Sequence, residues 1–466
     1  MRRKEIVILV LLYLFLLPFL NPWVRGDGVP CYAYIRSVII DGDLQFANEF
    51  YNTDMKRLLN WDKKVVTKTG HIPNEHQIGT AIFWIPFFLA GHVMAFILNF
   101  FGAKVFMDGF SYPYTVSCAF GSSLYGFLGL LLIYSLCRQY FSASVSLISV
   151  ISTWLASSFV FYMYLRPIHY HAISIFTVSL FMYFWWKTRY NRTLKQWILL
   201  GVIAGLMIQV RFIDAIFFIV LLMELYELIR IKKYSHNYII GIVLFALSIF
   251  IIIIPHFIVR NIIDGSFFRH GYEGHKFYLA NPQILSTLFS SAHGLFSWTP
   301  ILLFSTIGIF LFLKKDKVLA VSLILSFLIM FYLTACWVEW WAGSSFGNRF
   351  FCEFAMMFAI GLASMVNYVM EKSKISVKII SGLCVFLIIW NFLFMYQFAA
   401  GLIPREDYIS WKKMLYNQVC IVPGKITVEL KDYLFNKRNY LHKLEIEDTK
   451  MYKKGEIRKE LKRPDE

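Results

Sequence analysis

The sequence predicts an all-α polytopic membrane protein, with about eleven transmembrane helices and one long first loop. Three observations carry this. Of its 466 residues, 58% are hydrophobic and 16% charged, against about 25% charged in ordinary soluble domains. Apolar runs recur at lengths near the roughly 20 residues that cross a bilayer. Short turns rich in Lys and Arg join most of them.

The first apolar run, 5–24, follows a basic head (Arg2, Arg3, Lys4). No small-residue cleavage site follows it, so it predicts a retained signal anchor. Residues 25–77 are the longest polar stretch between apolar runs and hold Asp27, Arg36, Asp41, Asp43, Glu49 and Asp54. A chain that gives so much length to one acidic, aromatic-rich loop is expected to do its chemistry there. The later spans are expected at 114–137, 142–164, 170–186, 196–211, 212–230, 237–259, 294–313, 317–338, 350–369 and 378–400.

The basic turns carry Arg138; Lys187, Arg189, Arg192 and Lys195; Arg230, Lys232 and Lys233; Lys314, Lys315 and Lys317; Lys372, Lys374 and Lys378. Two spans separate each turn from the next, which puts them all on one side, the cytoplasm by the positive-inside rule. The basic N-terminus belongs there too. Residue 4 and residue 138 must then be joined by an even number of crossings, and the runs 5–24 and 114–137 already make two. The apolar run 78–101 is therefore expected to lie along the outer face as a bent segment, interrupted by Pro86, His92 and Asn99. A twelfth full span is its alternative. On this reading 25–113, 165–171, 260–293 and 338–349 face outward. Residues 1–403 form the membrane domain, and 404–466 form a polar tail on the outer side.

The net charge of +17 lies largely in the turns, where it sets orientation and does not call for nucleic acid. Seven cysteines are scattered without CxxC spacing, so neither a disulfide framework nor a zinc site is indicated. No Gly-rich phosphate loop, GxSxG or HExxH occurs.

Several residues are candidates for chemistry. Asp27, just beyond the first span, is placed to accept a proton from an acceptor hydroxyl, or else to cap a helix starting near residue 30. Asp41 and Asp43 bracket Gly42 in a turn, where such residues are common for structural reasons. Arg211 and Asp214 interrupt two apolar runs. They line a cavity, where Arg211 suits a phosphate, or they pair with each other. In WVEWWAGSSFGNRFF (337–351) the tryptophans fit an interfacial belt. Arg349, on a Gly/Ser-rich turn, is the stronger signal, with Glu339 beside it. In RPIHYHA (166–172), His169 and His171 fall on different helix faces, so they do not suggest a metal pair. His171 is a candidate to bond substrate. Lys68, His71, Glu75, His76 and Arg260 are weaker candidates, with interfacial anchoring the plainer role for Arg260.

The motifs GDGVPCYAYIRSVIIDGDL (26–44), NEHQIGTAIFWIPFF (74–88), GLMIQVRF (205–212), HGLFSWTP (293–300) and WWAGSSFGNRF (340–350) resemble, in order and spacing, the membrane-embedded glycosyltransferases of the C superfold. The resemblance is to bacterial members of family 39, the protein-mannosyltransferase and aminoarabinose-transferase kind. The family's acid pair is here Asp27-Gly28, and its Lys-Pro is absent from 74–88. The resemblance implies transfer of a sugar from a polyprenyl-phosphate carrier to an acceptor hydroxyl of a lipid, glycan or protein, with inversion, on the outer face of a bacterial plasma membrane. Asp27 takes the catalytic acidic position and Asp43 the later one, with Asp41 as its neighbour. Arg349, Arg211 or both are expected to stabilise the leaving lipid phosphate. From the residues themselves, His171, Arg260 and Glu339 are further candidates for the substrate site. No cofactor is required, and a divalent metal is compatible but not called for. The rival readings are a transporter or lipid flippase, which calls for matched broken helices in two halves, and a polysaccharide polymerase or ligase, whose large outer loop is expected late in the chain.

Overall fold

A computed structural model describes residues 3–51, 66–233, 236–268, 276–373, 376–437, 439–440 and 443. Asp54, Arg2, Lys374 and the tail from residue 444 onward lie outside the described residues. Among the described residues the chain is helical, and its one β feature is an isolated bridge between Phe277 and Trp337.

Among the described residues, six helices are long and apolar enough to cross a membrane: Gly79–Phe100, Tyr112–Tyr140, Asn237–Asp264, Lys317–Cys336, Arg349–Lys372 and Val377–Ala399. The pair Ala143–Leu155 and Ser158–Leu165, bent by 64°, makes a seventh if counted as one span, and Leu194–Val210 and Ile301–Phe312 are shorter apolar helices. The protein is thus an integral, multi-pass membrane protein. The expected eleven spans are not reproduced one for one, for local reasons. The first run gives a helix of 14 residues, Arg3–Leu16, before Pro18 turns the chain into a 3-10 segment. The run 212–230 divides into a 3-10 stretch, Phe212–Phe218, and a short helix, Ile219–Arg230.

Residues 78–101 show no break at the interruptions read from the sequence. Gly79–Phe100 is one continuous helix of 22 residues with Pro86 inside it, about 33 Å long at 1.5 Å per residue. Pro86 removes one backbone bond, which the rest of the apolar helix tolerates. Both flanks of this helix nevertheless return to the same short helix of the first loop, Gly28–Arg36. Before it, Asn74 Nδ2 donates to Pro30 O at 2.8 Å and Tyr34 OH to His76 O at 3.0 Å. After it, Tyr32 OH donates to Gly109 O at 2.5 Å and Arg36 Nε to Asp108 O at 2.9 Å.

Close helix contacts rest on small residues, as apolar surroundings favour. A Cβ at Gly308 would lie 1.9 Å from Gly361 O, and one at Gly361 2.0 Å from Ser305 O, so Ile301–Phe312 and Ala355–Ser373 touch backbone to backbone. At one end of the bundle the basic turns gather. Arg189 Nη2 sits 2.6 Å from Asp316 Oδ2, Tyr140 OH donates to the same carboxylate at 2.5 Å, and Arg192 pairs with Glu224 at 3.0 Å. At the other end the first loop builds its own apolar core from Val29, Tyr32, Ile35, Trp84, Phe88 and Tyr114. Ile168 and Tyr170 belong to that core, while Tyr162, Phe351 and Phe354 belong to the main one. The histidines of RPIHYHA therefore lie where the two cores meet.

Candidate functional site

Asp27 is the residue before the helix Gly28–Arg36 and makes no side-chain cap bond to it. The expected capping role is not used. Its Oδ2 instead lies 2.7 Å from Arg349 Nη1 and 3.5 Å from His169 Nε2. Partial burial acts to raise this carboxyl, but the Arg349 guanidinium outweighs it and holds it well below the usual carboxylate range. Arg349 opens the 3-10 helix Arg349–Phe354 after a turn with left-handed backbone at Ala342, Gly343 and Gly347. That turn is fixed by Asn348 Nδ2, which donates to Trp340 O at 3.0 Å, and by Arg166 Nη1, which donates to Ser344 O at 2.8 Å.

Arg349 Nη1 also approaches His169 Nε2 at 3.1 Å. An arginine only donates, so the His169 ring accepts on Nε2 and carries its proton on Nδ1. Burial and the neighbouring His171 push its pKa well down, which keeps it neutral. His171 stacks on His169 with ring centres 4.5 Å apart, and its Nδ1 lies 2.8 Å from Glu353 Oε1. Glu353 also takes Arg211, at 2.7 Å. The Arg211 guanidinium sits 5.1 Å from the centre of the Tyr170 ring. One line therefore runs Asp27–Arg349–His169–His171–Glu353–Arg211, assembled from the first loop, the 166–172 turn, the break after Val210 and the 349–354 turn.

Several buried polar atoms along this line have no partner among the described residues: His169 Nδ1, His171 Nε2, and both ring nitrogens of His76. His76 packs on Tyr170 with ring centres 5.8 Å apart. Burial, opposed by Asp27, brings its pKa down to about 4. Buried polar groups are nearly always satisfied, so these imidazole nitrogens are open hydrogen-bonding positions near Asp27. No group of three or more His, Cys, Asp or Glu able to hold a metal occurs among the described residues.

The other candidates fall elsewhere. Asp43 accepts from Ser37 Oγ at 2.7 Å and Gln45 N at 3.0 Å, and Asp41 is bound by Arg36 and Asn48. Both are held in local bonds of the first loop and not beside Asp27. Arg260 donates to Asn74 O at 2.5 Å and His76 O at 3.2 Å and pairs with Asp264 at 3.1 Å, so it holds the His76 segment in place. Glu339 is exposed, and its Oε2 and Arg349 Nη2 flank Gly343, at 3.9 and 3.8 Å from where a Cβ would stand. The Arg211–Asp214 pairing considered from sequence is corrected. Arg211 pairs with Glu353, and Asp214 takes the Ser174 hydroxyl. Sequence reasoning passed over Glu353, although a carboxylate inside the apolar run 350–369 is itself a signal of function. It also set the two histidines aside as a metal pair. Their stacking arises because His169 stands in extended backbone just before the helix Tyr170–Thr188.

With this geometry in place, the chain can be compared with known proteins. A family model described as dolichyl-phosphate-mannose-protein mannosyltransferase matches residues 92–258. The matched stretch contains His169, His171, GLMIQVRF and Arg211, so the resemblance read from the motifs is met there. Among solved structures, the crystal structures of ArnT from Cupriavidus metallidurans, in the apo state and bound to undecaprenyl phosphate, each align with a TM-score of 0.49 at 10% identity. Each alignment covers 90% of this chain and 75% of that one. No curated protein sequence matches. The family match and the membrane architecture together support a membrane glycosyltransferase.

Proposed function

We propose that the protein moves a sugar from a polyprenyl-phosphate carrier to an acceptor hydroxyl, on the outer face of a bacterial plasma membrane, with inversion at the anomeric carbon. The observation that carries this reading is the Asp27 carboxylate, 2.7 Å from Arg349, beside buried imidazole nitrogens without partners among the described residues. A base, a cation for a leaving phosphate and an open hydrogen-bonding surface are the parts that such a transfer needs.

Asp27 takes the proton of the acceptor hydroxyl as its oxygen bonds to the anomeric carbon. The carbon–oxygen bond to the phosphate breaks, and the electron pair leaves with the phosphate. A carboxylate paired with Arg349 is a weak base. A donor phosphate competes for that guanidinium, which frees Asp27 to act as the sugar binds. Arg211, at the far end of the histidine pair, stabilises charge on the leaving phosphate. His171 Nε2 and His76 bond sugar hydroxyls. Neither a nucleotide sugar nor a metal enters this scheme. Asp43 and Asp41 shape the loop that carries Asp27.

The test is purified protein reconstituted in lipid and offered radiolabelled polyprenyl-phosphate sugars, or nucleotide sugars, with a membrane extract as acceptor. Incorporation from a lipid-linked donor, unaffected by chelators, is expected. Incorporation from nucleotide sugars alone would overturn the donor assignment.

A further inference from the structure

The tail forms a helix through Trp411–Tyr416, a π-helical turn at Asn417–Ile421, and Val422–Phe435. Its first half is inside out. Polar side chains turn inward. Gln418 is 1% exposed and its Nε2 donates to Trp390 O at 2.8 Å, while Asn417 Nδ2 donates to Leu402 O at 3.2 Å. Gln397 Nε2 meets this stretch from the last span, donating to Met414 O at 3.3 Å and to Gln418 Oε1. Met414 and Val422 complete the buried face. The other apolar side chains turn outward. Trp411, Leu415 and Val419 fall four apart on one face, with Tyr416 beside them, and all are exposed, Val419 at 66%. A helix bathed in water places amides outside and such a stripe inside.

The depth of this stretch says what covers the outward face. Trp390 lies nine residues before the end of the span Val377–Ala399, about 13.5 Å along it, against a hydrocarbon half-thickness of about 15 Å. Phe386 and Ile389 of the same span, within about one turn of Trp390, are exposed as lipid-facing residues are. Lysines mark the two ends of the dip. Lys412 and Lys413 precede it and Lys425 follows it, all exposed, with stems long enough to carry their charges to headgroup level. Trp411 and Tyr416 are the residue types of an interfacial belt. Beyond Lys425 the exposed face is mixed, with Lys431 and Asp432 beside Val428, and the helix moves to the end of the first helix, where Tyr433 OH donates to Phe19 O at 2.8 Å. We propose that Trp411–Val422 is an interfacial segment whose outward apolar face is covered by acyl chains, with Lys412, Lys413 and Lys425 among lipid phosphates. The chain after residue 403 is then bound to the bilayer and ties the segment just before Asp27 to its edge. This stands on the membrane architecture and does not depend on the transferase reading.

The full-length protein in phosphatidylcholine nanodiscs is spin-labelled at Leu415→Cys, Val419→Cys or Thr427→Cys, each in a Cys420→Ser background, since the other six cysteines are buried. Power-saturation EPR compares collisions with oxygen, which concentrates in hydrocarbon, and with a water-soluble nickel chelate. Oxygen is expected to dominate at positions 415 and 419, and chelate access to be severalfold higher at 427 than at 419. Equal chelate access at 419 and 427 would put the face in water and overturn the proposal. Shielding of 415 and 419 from both reagents would overturn it too, because a second copy or residues 444–466 would then cover the face. A label-free reading uses Val419→Asp, which sets a carboxylate in hydrocarbon, beside Val419→Leu. The first is expected to lower Tm in nanodiscs by several degrees and the second to leave it unchanged. A Val419→Asp protein as stable as the wild type would contradict the lipid cover.

Discussion

Two features of the Asp27 cluster have consequences that titration and substitution can read. The Asp27 carboxyl is held well below its ordinary range, so its ionisation is lost only under strong acid and gives no acid limb near neutrality. The buried His76 differs. Its pKa falls from 6.5 to about 4 on folding, so between those values the unfolded chain binds more protons than the folded one. Stability then falls as pH drops through that window, by roughly 3 kcal/mol if His76 acts alone. Thermal unfolding in detergent between pH 7 and pH 4 is expected to show this loss, and His76→Phe to reduce its slope. Glu353 is the second feature. It faces both Arg211 and His171, and removing one partner of a buried ion pair costs about 3–5 kcal/mol. Glu353→Gln is expected to lower Tm strongly, and the double variant Glu353→Gln/Arg211→Met to recover part of the loss. Asp27 and Arg349 were legible as single residues, because an acid just beyond a span and an arginine on a Gly/Ser turn stand out. Their contact was not legible, since it joins residues 322 positions apart through a turn closure that no periodicity encodes.

Among the elements, Gly79–Phe100 carries the topology question. Counting basic turns predicts both its flanks on one side, and both flanks bond to Gly28–Arg36. No break occurs at Pro86, because one proline does not end an apolar helix whose other bonds are intact. Cysteines placed at Gln77 and Lys104, in a Cys420→Ser background, are expected to react with a membrane-impermeant reagent from the same side. Reaction from opposite sides would make the helix a full crossing. The start of this helix also sets the site. A Cβ at Gly79 would lie 2.3 Å from the Gln209 carbonyl carbon, two residues before Arg211. Gly79→Leu is expected to cost about 1–3 kcal/mol as overpacking does and to lower transfer beyond what the loss of folded protein explains.

Across the whole molecule, the charge pattern and the apolar runs sufficed for a polytopic helical protein. The turns around Arg189, Tyr140 and Asp316 do meet at one end. The number of spans was less legible, because runs such as 212–230 read as one apolar stretch yet fold as a 3-10 segment and a short helix. The role of the tail was not legible at all, since a polar, mixed-charge sequence gives no sign that Tyr433 and Lys437 dock on the end of the first helix. The central claim is that one carboxylate at this end activates the acceptor. Its most direct measurement is the single-turnover transfer rate from a polyprenyl-phosphate sugar, in reconstituted wild type beside Asp27→Asn of equal Tm. A fall of about 10²–10⁴-fold with donor binding retained is the predicted result. An unchanged rate in Asp27→Asn would contradict the account.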